Sequence, residues 1–312
     1  MKNPLSGGTY LIAVILIWVA SSTTIHTVFS TYPKPFFLTY FTSSLFSLYL
    51  TFNFLKPNPK LINRDLLITS FKFSPLWFTS NYFFNLSLNL TSVASNTILA
   101  STSGIFTLIF SILILKEPSN ILKWTAVLMS FSGIVCIGLA EDNLEKDNLI
   151  GDLFAVFGAV VYSVYSVCLK GIEGKDLVNI LGCMGAINFV LFMPGLFLLH
   201  FSGFEKIETL NLREAQLIVG NALIGSIICD LCWARSVELL TPTICTLGLS
   251  LTIPISMAAD KYLEKSEFGF VYIIGAFLVV VGFVMISQAD DLEKPLMNDN
   301  EDLNTLISEI EI

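Results

Sequence analysis

Apolar residues run through this chain in long blocks separated by short polar stretches; neither the alternation of a half-buried strand nor a one-sided helical stripe dominates. The blocks fall near 9–29, 36–56, 66–89, 93–115, 121–140, 149–170, 177–201, 214–238, 241–263 and 268–288. A helix needs about 20 predominantly apolar residues to cross the hydrocarbon layer. The pattern therefore predicts an all-α integral membrane protein with ten transmembrane helices. Pro75, Pro194 and Pro254 interrupt the third, seventh and ninth blocks, where each removes a backbone hydrogen bond and frees a carbonyl. Such breaks are ordinary kinks, or places where backbone lines a cavity or hinge. Lys2 before the first block and Ala20-Ser21-Ser22 within it mimic a cleavable signal peptide, but the apolar character continues to Phe29, which favours a retained span.

Composition agrees. Of 312 residues 54% are hydrophobic and 13% charged, and the mean hydropathy is +0.74. Soluble domains carry charge on about a quarter of their residues. The net charge of −8 is local, since the segment after Gln288 holds Asp290, Asp291, Glu293, Asp299, Glu301, Asp302, Glu309 and Glu311 against Lys294 alone. The near-neutral body has no basic patch for nucleic acid. Placing the N-terminus in the cytosol assigns ten Lys/Arg to that side and six to the other, which favours cytosolic termini and puts Glu141–Asn148 on the opposite face. Lys72, inside the third block, reaches back to the cytosolic face by snorkelling. The six cysteines all lie within spans and read as small packing residues. Cys229-Asp230-Leu231-Cys232 has CxxC spacing but no second Cys/His pair, so no metal is expected, and no cofactor.

The two halves repeat. Gly8 opens a run reaching Trp18 and Ser21-Ser22, as Gly151 opens one reaching Tyr162 and Ser163. Ser101-Thr102-Ser103 sits in its half where Ser250-Leu251-Thr252 sits in the other, and Gly133 matches Gly282 at an offset of 149. Five helices per copy is an odd number, so the second copy enters the membrane inverted, an arrangement typical of secondary transporters. The expected units are 1–143 and 144–288 as five-helix repeats, and 289–312 as an acidic, disordered cytosolic tail.

Polar groups at bilayer depth must face inward, because facing lipid they would go unsatisfied at several kcal/mol each. Helical spacing aligns Asn96, Ala100, Ser103, Thr107 and Ser111 on the fourth span, and Thr243, Thr246 and Ser250 on the ninth. These hydroxyl stripes line a cavity or allow close helix packing. Trp18, Ser22 and His26 share a face of the first span, Tyr162 and Ser166 one of the sixth, and Asn81 and Asn85 one of the third. They offer ring and amide contacts to a planar or sugar-like solute. Asn85-Leu-Ser87 and Asn89-Leu-Thr91 fit the glycosylation pattern but have almost no loop around them, and are expected unmodified.

At this point the residues resemble a known group, the drug/metabolite transporter superfamily with its EamA-type repeats, and within it subfamily F of solute carrier family 35, close to its member-five branch and to related fungal vacuolar-membrane proteins. The stretches that carry this are Tyr32-Pro-Lys-Pro-Phe-Phe37, Thr91-Ser-Val-Ala-Ser-Asn-Thr-Ile-Leu99, Ser101-Thr-Ser-Gly-Ile-Phe-Thr-Leu108, Leu198-Leu-His200 with Gly203-Phe-Glu205, and Leu249-Ser-Leu-Thr-Ile-Pro254 with Ala259-Asp260. The resemblance implies a central cavity lined by the first four helices of each half. It also implies that the fifth and tenth helices pack to the side, in places as a homodimer contact. Animal members have a long hydrophilic insert between the second and third spans, and this chain has only Lys56 to Asp65 there. The subfamily has no settled substrate.

A secondary carrier of a small polar metabolite in an endomembrane fits these features. The competing readings are a non-transporting receptor or sorting factor, and a polytopic enzyme. Against the enzyme, His26 and His200 are the only histidines, and there is no HExxH, no metal-ligand run and no phosphate-cradling loop; ATP-driven pumping lacks its motifs too. Asp230 lies about 12 Å from the cytosolic end of the eighth span at the helical rise. A carboxylate at that depth should face the bundle interior and either pair or take up a proton, which makes it the candidate coupling residue. Arg235, five residues on, is about 140° around the helix and a poor partner. In the tail, Asp302 precedes Leu306-Ile307 in the spacing of an acidic dileucine signal read by clathrin adaptors, which favours a vacuolar or lysosomal membrane over the Golgi.

Overall fold

The computed structural model describes residues 4–55, 62–140, 148–256 and 269–310, and every regular element among them is helical. We number the helices α1 (Pro4–Thr31), α2 (Pro35–Ser44, then a 3-10 turn Leu45–Ser47 into Leu48–Phe54), α3 (Arg64–Leu90), and α4 (Val93–Ser101 and Ser103–Phe110, ending in a π-helical turn Ser111–Leu115). They continue with α5 (Ile121–Leu139), α6 (Leu149–Lys170), α7 (Leu177–Leu191 and Met193–Ser202) and α8 (Leu212–Asn221, a π-helical stretch Ala222–Ile228, and Cys229–Leu239). Last come α9, an apolar helix over Pro242–Ser256, and α10 (Phe270–Ile310).

Among the described residues six stretches are long and apolar enough to cross a membrane: Ser95–Leu115, Ile121–Leu139, Leu149–Lys170, Leu177–Ser202, Leu212–Leu239 and Phe270–Asp290. α3 has the length but a lower mean hydropathy, and its contacts explain why. Ser70 Oγ donates to the Ile180 carbonyl at 3.1 Å, Ser74 Oγ donates to Asn188 Oδ1, and Asn85 Nδ2 donates to Thr39 Oγ1 at 3.0 Å. These three polar residues that lower its hydropathy thus find partners inside the bundle, as a low-dielectric surround favours. Asn85, one of the two glycosylation matches, is engaged there too. Large apolar residues such as Phe201, Phe204, Phe270 and Phe277 lie exposed while Ser70, Ser74, Ser163 and Asn188 are buried, the reverse of a soluble domain.

Helix starts follow capping chemistry. Asn63, Ser92, Asn120, Asn148, Asp176 and Thr241 each accept a backbone N–H from the first turn, satisfying donors that have no intrahelical partner. Pro194 stands at the second residue of the outer half of α7, where it lacks no bond, and the helix breaks before it at Phe192. α10 runs past the expected end at 288 as far as Ile310, so the segment expected to be disordered is helical. The side chains of Asp302, Leu306 and Ile307 lie outside the described residues, as do Glu141–Asp147 and Ala259-Asp260.

α5 and α10 meet backbone to backbone. A Cβ on Gly133 would lie 2.6 Å from the Gly275 carbonyl oxygen, one on Gly275 2.6 Å from the Gly133 oxygen, and one on Gly282 2.7 Å from the Ala126 oxygen. Only glycine fits at that separation. Adding 149 to one member of the pair Gly133–Gly275 and subtracting it from the other gives Gly282–Ala126, which is also in contact. The same exchange turns Gly185–Phe46 into Phe36–Gly195, again both in contact, and Tyr40 donates to the carbonyl of Phe189, its own counterpart, at 3.0 Å.

The two ends of the bundle are tied separately. At one end Ser236 Oγ donates to the Gly7 carbonyl at 3.3 Å, Lys170 Nζ to the Glu238 carbonyl at 2.8 Å, and Lys175 pairs with Asp65 at 2.9 Å. At the other, Thr91 Oγ1 donates to Asp152 Oδ1 at 2.9 Å, and the loop after α7 reaches the start of α2.

Candidate functional site

The eighth helix supplies the one acid singled out at depth, and the fold places it centrally. Asp230 lines a small enclosed cavity together with Val14 and Trp18 of α1, Trp77 of α3, Tyr162 of α6, Trp233 of α8 and Leu249 of α9. Its volume is about 10 Å³, room for roughly one water. Three of the chain's four tryptophans line it. Tyr162 stacks on Trp233 with ring centres 5.8 Å apart, and Trp77 lies 4.9 Å from Tyr165 beneath. Trp18 is the least covered wall at 39% exposed and forms the rim.

Asp230 is 8% exposed, and among the described residues no hydrogen bond or ion pair holds its carboxylate. Arg235 pairs with Glu238 at 2.6 Å, in keeping with the helical geometry that made it a poor partner for Asp230. The indole N–H of Trp233 is likewise buried with no partner among the described residues. Immediately before Asp230, the π-helical stretch Ala222–Ile228 widens α8 and offsets its carbonyls, and Tyr49 of α2 donates its hydroxyl to the Ile227 carbonyl. Buried polar groups normally find partners, and here the Asp230 carboxylate and the Trp233 indole N–H both stand open beside aromatic walls among the described residues.

Of the residues singled out in sequence, Trp18, Tyr162 and Asp230 come together at this cavity, and several of the others hydrogen-bond within or between helices. Asn81 donates to the Trp77 carbonyl one turn back at 2.9 Å, and Asn96 to the Phe84 carbonyl at 3.2 Å, tying α4 to α3. The Ser103 carbonyl accepts from Ser163 at 3.0 Å, and Ser166 is buried one turn beyond Tyr162. Thr246 donates to the Pro242 carbonyl at 2.8 Å and touches Thr107 across α4 and α9 at 3.5 Å, while Ser250 sits in the turn that ends the first part of α9. Ser111 and Thr243 of the hydroxyl stripes, and Ser166, are buried with no hydrogen-bond partner among the described residues. The side chains of Ser22 and His26 lie outside the described residues. Sequence reading missed Trp77 and Trp233, although Trp233 stands three residues after Asp230 and therefore on its face. A larger groove between α2, α3 and α7, walled by Leu50, Leu67, Phe71, Ile187 and Val190, is purely apolar and has nothing to hold a polar solute.

The model of the Triose-phosphate Transporter family matches residues 10–262. The chain belongs to that family. Solute carrier family 35 member F5 of Bos taurus is 36% identical over 240 residues, 73% of this chain and 45% of the bovine protein. The chain thus spans about half the length of the mammalian relatives it matches. A vacuolar membrane protein of Saccharomyces cerevisiae is 29% identical over 350 aligned positions, covering 90% of this chain and 89% of that one. The yeast thiamine-repressible mitochondrial transport protein is 30% identical over 339 positions, 90% and 91% of the two chains. A crystal structure at 17% identity superposes with a TM-score of 0.74 over 93% of this chain and 99% of the other, and so shares the fold. The resemblance to family 35 read from the sequence holds, and the family is one of transporters rather than enzymes.

Two of the stretches that carried the resemblance meet in space. Glu205, from the loop after α7, accepts the backbone N–H of Phe36 at 3.0 Å and of Phe37 at 3.2 Å, capping α2 of this transporter-family fold from the other half of the chain. Burial pushes the Glu205 carboxyl above the ordinary carboxylate range, opposed by those two N–H bonds and by Lys34 nearby. A carboxyl whose value is raised in the contact stabilises it most at low pH, and that contribution is lost as pH rises through the raised value. Hydrogen exchange at Phe36 and Phe37, corrected for intrinsic rates, is expected to slow as that face is acidified. Glu205→Gln should keep the contact and flatten the pH dependence, whereas Glu205→Ala should weaken it by about 1 kcal/mol, as for loss of a helix cap. Equal pH dependence in wild type and Glu205→Gln would show that another group titrates.

Proposed function

We propose that the chain is a secondary carrier moving a small polar metabolite across an endomembrane by alternating access, with ten spanning helices in two inverted five-helix repeats. The observation that carries this reading is the central cavity, whose walls come from α1 and α3 of one half and α6, α8 and α9 of the other, around a carboxylate with no bond or ion pair among the described residues. Contacts exchanged by the offset of 149 support the internal pseudo-symmetry. The separate ties at the two bundle ends, Lys175–Asp65 and Glu205–α2, both join the first half to the second and supply what two gates require. In this reading the end holding Lys170, Lys175 and Arg235 faces the cytosol. Protonation of Asp230 couples proton movement to solute movement, by symport or exchange.

Trans-stimulation tests the reading. Proteoliposomes loaded with an isotope-labelled extract of small metabolites should release at least one species faster, and saturably, when the unlabelled extract is outside. A receptor or sorting factor on the same scaffold gives no such stimulation. For location, the yeast vacuolar relative and the Asp302, Leu306, Ile307 pattern support a vacuolar or lysosomal membrane with adaptor recognition of the tail. Changing Leu306 and Ile307 together to alanine should redirect the protein from that membrane; unchanged imaging would remove the signal. A homodimer at α5 and α10 would use their outward faces, Leu128, Phe277 and Val284 among them, because the glycine faces are filled within the chain.

A further inference from the structure

We infer that the cavity selects an organic cation, a solute with a flat or quaternary positive end, rather than a phosphorylated or otherwise anionic metabolite. This inference deepens the carrier reading and rests on it for the position of the site. Every wall chemistry points the same way. Trp18, Trp77, Tyr162 and Trp233 come from four different helices, and their π faces attract positive charge, most strongly where water is excluded. The one charged side chain in the lining is the Asp230 carboxylate, deeply buried and without a hydrogen bond or ion pair among the described residues.

What would recognise an anion is missing from the described lining, which has no Lys, Arg or His. Three bases at the same end of the bundle are spoken for elsewhere: Lys170 on the carbonyls of Glu238 and Leu240, Arg235 on Glu238, and Lys175 on Asp65. Phosphate brought beside Asp230 would meet like charge in a dry site, whereas a cation answers the carboxylate that nothing else answers. The buried indole N–H of Trp233 is left for an acceptor on the same solute. Because one carboxylate cannot hold a proton and a cation together, their competition also fits an exchange of the two.

The tryptophan distribution makes the test direct. Trp124 is the one tryptophan outside the cavity, so in a Trp124→Phe background the indole fluorescence reports the site alone. The purified full chain in detergent is titrated with N-methylpyridinium and tetramethylammonium as cations and with glycerol 3-phosphate as the anion. Saturable fluorescence change with both cations and none with the phosphate ester is expected. Asp230→Asn should weaken cation binding roughly thirtyfold, Asp230→Glu should restore most of it, and Trp233→Leu should weaken it about tenfold. Saturable response to glycerol 3-phosphate, or cation titrations unchanged in both Asp230→Asn and Trp233→Leu, would overturn the inference. If Asp230→Asn fails to fold, Trp233→Leu decides alone. Metabolite exchange without cation binding would leave the carrier and refute the class; cation binding without any exchange would do the reverse.

Discussion

Asparagine in place of Asp230 is expected to leave the protein folded and exchanging at saturating solute, while abolishing accumulation driven by a pH gradient. The substitution keeps the shape of the side chain and removes only its ability to carry charge and bind a proton. An ionised carboxylate at bilayer depth is costly, and this one has no bond or ion pair to offset the cost among the described residues. In the proposed carrier, a ligand that comes and goes answers that cost. Exchange of solute for solute requires only that the cavity alternate, so counterflow should persist with a raised half-saturation concentration. Net uptake against a gradient requires the titrating group and should fall to the level of empty vesicles. Normal accumulation by the variant would transfer coupling to another group; failure to reach the membrane would give Asp230 a structural role instead.

A second large effect is expected at the glycine seam. Leucine at Gly133 or Gly275 places a side chain where the facing backbone oxygen already lies 2.6 Å from the first carbon. Rotamer changes cannot relieve contact with backbone, so α5 and α10 must separate along several turns. Overpacking in ordinary cores costs about 1–3 kcal/mol, and the loss here should reach or exceed the upper figure. Size-exclusion profiles of the detergent-solubilised variants should show aggregation or a sharply lowered melting temperature. Gly220→Leu in α8, where a Cβ meets nothing within 4 Å, should behave as wild type. A stable, monodisperse Gly133→Leu protein would mean that the seam is not as close as described.

Much of this architecture is legible in residue order because the membrane imposes a coarse rule on it. Helix starts coincide with Asn63, Asn120, Asn148, Asp176 and Thr241, polar caps standing before apolar blocks, so block and cap chemistry agree. Helix ends were less legible, since acidic residues after Gln288 break hydropathy without breaking helix, and α10 continues. The cavity was half visible. Asp230, Trp18 and Tyr162 stood out by depth and type, but which hydroxyls face a cavity and which face a neighbouring helix depends on helix rotation, and periodicity leaves that open. Thr246 against Thr107 and Asn96 against the Phe84 carbonyl settle for contacts. Trp77 escaped notice because an aromatic in a membrane helix ordinarily reads as packing or interface.

The widened stretch Ala222–Ile228 had no signature in the sequence at all, yet it sets the aim of everything after it. A π-helical turn accommodates one residue more than an α-helical turn would, and one residue is about 100° of rotation. The direction in which Asp230 and Trp233 point is therefore fixed by a residue count upstream of them, independently of how α8 begins at Leu212. Such a turn acts as a slip joint: were the spare residue to migrate along the helix, the outer half could stay docked while the inner half turned its carboxylate out of the aromatic box. Tyr49 donates its hydroxyl to the Ile227 carbonyl within that stretch and so ties it to α2.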